Sequence, residues 1–250
     1  MTIPSPATGS VFAIDVGATN IKCCLVDESG FALESVRRRR TPYPCTPQRL
    51  VALLSARISK SGAARVGVGF PGELDQGRVV RPGNLSRPSG VASRIDPELE
   101  RQWVGFGLEE ALSAMTGSDV RVVNDAALAA LGCCRGEGIE LVLTLGTGFG
   151  IALHVDGTRQ RVRDVGVEVF HDAQTYDQAL GERARAHSEG HWFETVVVAL
   201  RELIDEFSPT TVYLAGGNAR RLAPGAFSEL GARVVIVGNE APLRGAAHLF

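Results

Sequence analysis

Asp15-Val16-Gly17-Ala18-Thr19-Asn20-Ile21-Lys22 and, about half a chain later, Leu145-Gly146-Thr147-Gly148-Phe149-Gly150 decide how this sequence folds. Each is a glycine-threonine turn that follows an apolar extended run, Val11 to Asp15 in one case and Leu141 to Leu145 in the other. Each also leads into another extended run, Ile21 to Val26 and Ile151 to Val155. Glycine lets backbone amides approach an anion because no Cβ intervenes, and the hydroxyl adds a donor. Two such turns in corresponding settings predict two related lobes facing a shared cleft. The expected division is a tail over 1–10 without fixed structure, a first α/β lobe over 11–123 and a second over 124–250. The last helix is free to pack back on the first lobe.

Working outward, Asp27-Glu28-Ser29-Gly30 predicts a turn into a third strand over Phe31 to Val36, so that the chain opens as a meander. Thr46-Pro47 has the chemistry of a helix start, with the hydroxyl as N-cap and proline at the first helical position. Leu50, Val51, Leu53, Leu54 and Ile58 then follow at the spacing of an amphipathic helix. Val66, Val68 and Phe70 share one face of a strand that stops at Pro71-Gly72. Further helices are expected over Leu108–Met115, Ala126–Leu131 and Phe193–Phe207, and strands over Val120–Val123, Val212–Leu214 and Val234–Val237. Strands that precede helices throughout indicate α/β architecture.

Composition narrows the partners. Lys plus Arg (26) against Asp plus Glu (28) leaves a formal charge of −2 over 250 residues, which argues against a bulk nucleic-acid binder. Aromatic residues are 6% of the chain, too few for base-stacking platforms. No apolar run reaches the roughly 20 residues that span a bilayer, and Met1 to Ser10 lacks the layout of a signal peptide. The cysteines, Cys23, Cys24, Cys45, Cys133 and Cys134, have neither C-x-x-C spacing nor a neighbouring His, so no zinc is expected. They read as reduced thiols in a cytoplasmic protein.

Three segments carry chemistry. In the first loop, Asp15 at a strand end can hold Mg²⁺ through water, while Gly17, Thr19, Asn20 and Lys22 can hold phosphate. The same segment also reads as a plain hairpin turn. Gly146, Thr147 and Gly148 form the second loop, which pairs with the first as a phosphate clamp. Neither matches Gly-x-x-x-x-Gly-Lys-Ser/Thr, so a P-loop is excluded. Asn124-Asp125 ends a strand and opens an apolar helix. It reads as a helix cap. That reading is preferred from the residues alone, and the alternative is a general base, Asp125, with Asn124 orienting it. The two roles are compatible, because capping would fix the carboxylate.

Together these segments resemble the ROK family of sugar kinases, within the two-lobed actin-like ATPase/hexokinase (ribonuclease H-like) fold with its interlobe active-site cleft. The first loop is similar to the family's Asp-x-Gly-Gly-Thr-x-x-Lys motif, with Ala18 in place of the second glycine. Val66 to Gly72 is similar to its Gly-x-Gly-x-Pro-Gly segment, and Asn84-Leu85 to its Asn-Leu element. Asn124-Asp125-Ala126 looks like the tripeptide whose Asp is the catalytic base, and Leu145 to Gly150 like the second phosphate loop. Thr175 to Gly181, Leu214 to Leu222 and Gly238 to Gly245 resemble the polyphosphate-glucokinase branch. The resemblance implies transfer of a phosphoryl group from ATP or inorganic polyphosphate to a hexose hydroxyl. Asp125 would be the base, Asp15 the Mg²⁺ ligand, and Pro71, Gly72, Asn84, Asn124 and Asp164 the acceptor side. Gly216 and Gly217 would border adenosine if ATP is used. The expected partners are a small-molecule sugar and a phosphate donor, with a homodimer as the assembly and neither nucleic acid nor membrane involved.

Two further positions depart from the family. Its Glu-x-x-His, which holds sugar hydroxyls, aligns with Asp164 and Val167 here, and Glu168 or His171 are the candidates to substitute. This departure motivates a rival reading, a sugar- or phosphate-binding sensor without turnover, and another, a kinase for a non-glucose acceptor. A repressor of the same family needs a DNA-binding helix-turn-helix, for which the ten residues before Val11 are expected to be too few. Ser86 to Gln102, rich in Pro, Ser, Gly and Arg, reads as a surface loop bordering the acceptor side. Arg37 to Arg40 admits a polyphosphate-binding reading, but a solvated strand end is preferred.

Overall fold

The computed structural model describes residues 9–91 and 93–250. The expected tail over 1–10 therefore lies almost wholly outside the described residues. The chain divides into two compact units, Met1–Gly132 with Pro242–Phe250, and Cys133–Ala241.

The first unit is built on strands β1 (Val11–Val16), β2 (Asn20–Val26), β3 (Arg37–Arg40) and β4 (Arg65–Phe70). After the small hairpin β5 (Glu73–Asp75) and β6 (Arg78–Arg81) come β7 (Pro88–Val91) and β8 (Asp119–Asn124). Five of these form one sheet in the order β3-β2-β1-β4-β8. β1, β4 and β8 run parallel, whereas β2 and β3 are antiparallel to their neighbours. Helices α1 (Pro47–Ser61), α2 (Pro97–Trp103) and α3 (Leu108–Thr116) cover one face, and α4 (Asp125–Leu131) lies on the other. α1 starts where the sequence requires: the Thr46 side chain accepts from the Arg49 amide, and Gly62 ends the helix in the left-handed region. Leu50, Val51, Leu54 and Ile58 are buried against Phe12, Ile14, Val66 and Val68. Each such side chain contributes roughly 1.5–3 kcal/mol on burial. On the opposite face, Val11, Ala13 and Val26 pack with Leu128, Leu243 and Ala246. Gly67 is obligatory there, since a Cβ would fall 2.7 Å from that of Ala246.

The second unit repeats the plan. Its strands are β9 (Ile139–Leu145), β10 (Phe149–Val155), β11 (Thr158–Gln160), β12 (Thr211–Ala215) and β13 (Arg233–Ile236), ordered β11-β10-β9-β12-β13. Their relative directions match those of the first sheet. Short helices α5 (Tyr176–Leu180) and α6 (Glu182–His187) precede the long α7 (Glu189–Phe207). α7 buries Trp192, Val196, Leu200 and Leu203 against Leu141, Leu143 and Leu145. A last helix, α8 (Ala241–Gly245), leads into the carboxy-terminal segment. No helix among the described residues is long and apolar enough to cross a membrane.

Two expectations need correction. The third strand of the meander is Arg37–Arg40, not Phe31 to Val36. The Glu34 carboxylate accepts from the Leu25 amide at 3.3 Å and stands in for the backbone acceptor that a regular strand would present. Pairing resumes only beyond it. Ser86 to Gln102 is not a plain loop either, because it contains β7 and most of α2. The Asp96 carboxylate caps the Glu98 and Leu99 amides, and Pro97 occupies the first turn.

Candidate active site

The first unit gathers polar groups at the carboxyl ends of its parallel strands, where open α/β sheets place ligand-binding groups. Asp15, near the end of β1, pairs in register with Lys22 on β2 and Gly69 on β4. Its carboxylate is buried, and Oδ2 is 2.8 Å from Lys22 Nζ. Gly69 leaves room beside it, since a Cβ there would crowd Leu128 and the Asp125 backbone.

Asn124 ends β8 and caps α4. Its Oδ1 accepts from the amides of Ala126 at 3.0 Å and Ala127 at 3.1 Å. Its Nδ2 donates to the Gly72 carbonyl at 3.0 Å and to Asp125 Oδ1 at 3.1 Å. Capping and orientation are thus one arrangement. Asp125 Oδ1 also accepts from the Ala126 amide at 2.8 Å. The carboxyl is pushed up to about 7, first by desolvation and then by the Asp15 charge, against the pull of backbone amides and Lys22. It is thereby tuned near neutrality, as a proton acceptor requires.

The turn Gly17 to Asn20 closes with Gly17 N donating to Asn20 O at 3.0 Å. Two residues from the following segment hold it. Thr41 Oγ1 donates to the Gly17 carbonyl at 2.6 Å, and Tyr43 Oη donates to the Ala18 carbonyl at 2.7 Å. Thr19 and Asn20 are exposed, and Ala18 is buried. Pro71 and Gly72 continue β4 into a tight turn in which a Cβ on Gly72 would collide with the Arg81 carbonyl. Asn84 lies in the short 3₁₀ turn Gly83–Ser86.

In the second unit, Gly146 N donates to Gly148 O at 3.0 Å, and Asn218 Nδ2 donates to the Gly146 carbonyl at 3.0 Å. The glycines differ in role. A Cβ on Gly146 would meet nothing within 4 Å, so that backbone is open to a ligand. A Cβ on Gly148 would strike the Asp177 carboxylate, which itself accepts from the Phe149 amide at 2.6 Å. Gly148 therefore serves the fold. Gly216 has φ +92 and backs onto the Leu145 carbonyl, whereas Gly217 faces open space.

Asp164 precedes the short 3₁₀ turn Val165–Val167, Val167 ends it, and both are exposed. The candidate substitutes are engaged elsewhere: Glu168 pairs with Arg163 at 2.6 Å, and His171 Nε2 lies 2.7 Å from Glu202 Oε1. Among the described residues no group of three or more His, Cys, Asp or Glu is placed to hold a metal ion. Asp15 offers a different arrangement, a single buried carboxylate with Asp125 close enough to feel its charge. Few, hard oxygen donors fit Mg²⁺, which keeps much of its water.

Thr41, Tyr43, Asp177 and Asn218 are site-shaping residues that motif reading did not assign. Asp177 and Asn218 lie within the Thr175 to Gly181 and Leu214 to Leu222 segments of the family resemblance, whereas Thr41 and Tyr43 carry no signal beyond polarity.

A doubled five-stranded α/β unit with glycine turns after the first strand of each sheet defines the actin-like, two-lobed class of phosphotransferase folds. A sequence profile of the ROK family matches residues 11–171, and the chain belongs to that family. No curated protein matches the full sequence closely enough to count as a relative. Among solved structures, the chain is similar to an inorganic polyphosphate/ATP-glucomannokinase from Arthrobacter sp. strain KM, at 28% identity and TM-score 0.80, covering 97% of this chain and 98% of that one. It shares its fold with a ROK glucokinase from Streptomyces griseus in complex with glucose and AMPPNP, at 20% identity and TM-score 0.69, covering 96% and 99%. It also shares its fold with a ROK transcriptional regulator homologous to the E. coli MLC protein, at 13% identity and TM-score 0.64, covering 96% of this chain and 77% of that one.

Proposed function

We propose that this protein is a cytoplasmic sugar kinase that transfers a phosphoryl group from ATP or inorganic polyphosphate to a hexose hydroxyl, with Asp125 as general base. The observation that carries the reading is the Asp125 carboxyl, oriented by Asn124 and set beside the Asp15–Lys22 pair. In the reaction the acceptor hydroxyl gives its proton to Asp125. Its oxygen bonds to phosphorus as the bond to the leaving phosphate oxygen breaks, and that electron pair departs with the donor.

Asp15 would hold Mg²⁺, which supplies neutralisation of charge on the transferring phosphoryl group. Lys22 fixes the Asp15 carboxylate. Gly17, Thr19 and Asn20, with Gly146 and Thr147, would present amides and hydroxyls to donor phosphates. Gly216 and Gly217 would border adenosine. Pro71, Gly72, Asn84, Asn124 and Asp164 would face the acceptor. The 28% identical polyphosphate/ATP-glucomannokinase supports both donors and a hexose acceptor.

A panel of glucose, mannose, N-acetylated hexoses and other polyols, each with ATP and with polyphosphate, tests this. Turnover of a hexose with either donor is the expected outcome. A second reading, a sensor that binds without turnover, draws on Val167, which offers no polar group where the family has His. Ligand binding with no turnover across the panel would favour it.

A further inference from the structure

β3 is a run of four arginines, all exposed, at the edge of the first sheet. Charged side chains on an edge strand resist strand addition, which accounts for arginine here without singling out any one of the four. The register is more particular. Arg38 pairs with Lys22 and Arg40 with Asn20, while Lys22 pairs in turn with Asp15. Side chains of register partners and of alternate residues share a face. Arg38 and Arg40 therefore stand on the same face as Lys22 and Asp15, about 7 Å apart along the strand. Arg37 and Arg39 stand on the other.

Side-chain partners are unevenly distributed along the stripe. Arg37 is paired with Glu34 at 2.7 Å, and Lys22 is engaged by Asp15. Among the described residues the guanidiniums of Arg38, Arg39 and Arg40 have neither a hydrogen bond nor an ion pair, and of these three only Arg38 and Arg40 share the face of Lys22 and Asp15. The stripe is tied to the glycine turn as well: Thr41, directly after Arg40, donates from Oγ1 to Gly17 O and from its amide to Thr19 O at 3.0 Å. Two unpaired guanidiniums thus lead outward from the turn proposed to hold donor phosphate. Guanidinium matches phosphate oxygens in bidentate fashion.

We infer that Arg38 and Arg40 form a tail subsite for inorganic polyphosphate, binding phosphates beyond those at the Gly17–Asn20 turn. This rests on the kinase reading above and narrows its donor class. The test compares binding of tripolyphosphate and long-chain polyphosphate by calorimetry in the wild type, Arg38→Gln/Arg40→Gln and Arg39→Gln. The substituted side chains are exposed, and thermal unfolding checks each fold.

The expected result is tighter binding of the long chain by the wild type, a gain that the double variant loses by about tenfold or more and Arg39→Gln keeps. No chain-length gain in the wild type, a gain retained by the double variant, or an equal loss in Arg39→Gln would overturn the subsite. Failure of the kinase reading is a separate result: no transfer from any donor, with the chain-length gain still dependent on Arg38 and Arg40.

Discussion

Asn124 donates through Nδ2 to Oδ1 of Asp125 at 3.1 Å while its own Oδ1 caps the amides of Ala126 and Ala127. One side chain thereby fixes both the start of α4 and the direction of the carboxylate beside it. Asn124→Ala removes the cap at a cost of about 1 kcal/mol, measured by denaturant unfolding. The same variant is expected to lower kcat more than it changes KM for the sugar. A loss of stability alone, with kcat unchanged, would mean that Asn124 only caps.

Asp125 predicts an unusual pH response. Its folded-state carboxyl holds a proton up to about 7, against an ordinary 3.8. Between these values the folded protein binds more protons than the unfolded chain. Stability contributed by the protonated carboxyl is therefore present at low pH, falls as pH rises through that window and is lost above it. In metal-free protein, Asp125→Asn should raise Tm relative to wild type at about pH 8, with the gap closing toward about pH 4. NMR titration of Asp125 should move downward in Asp15→Asn and upward in Lys22→Met, since Asp15 raises and Lys22 lowers its proton affinity.

The two glycines of the second turn should separate on substitution. Gly146→Ala places its Cβ in open space, so Tm should hold while KM for the phosphate donor rises. Gly148→Ala drives a Cβ into the Asp177 carboxylate, so unfolding should occur at lower temperature whatever the donor. Thermal scans and donor titrations on both variants check the distinction.

Tyr43→Phe deletes the hydroxyl that donates to the Ala18 carbonyl and leaves the ring in place. The expected cost is about 1 kcal/mol in stability. Donor KM should rise because the first turn loses one of the three hydrogen bonds that Thr41 and Tyr43 give it. Unchanged donor KM would remove Tyr43 from the site.

Local chemistry made the glycine turns, the Thr46-Pro47 helix start and the Asn124-Asp125 junction legible in the sequence, because each depends on residues a few positions apart. The strand over Phe31 to Val36 failed for a tertiary reason, the Glu34 carboxylate taking a β2 amide. α2 was hidden by a Pro- and Ser-rich composition, although Asp96-Pro97 carried a usable cap signal. Thr41, Tyr43 and Asn218 act on turns 24, 25 and 72 residues away, and no pattern in one sequence announces such reach. The roles of Gly146 and Gly148 likewise separated only once Asp177 was seen behind one of them.

The role of Asp125 as proton acceptor is tested most directly by the single-turnover rate of phosphoryl transfer in Asp125→Asn, with the best acceptor from the panel. The predicted result is a fall of about 10²–10⁴-fold with sugar binding retained. A transfer rate close to that of the wild type would contradict it.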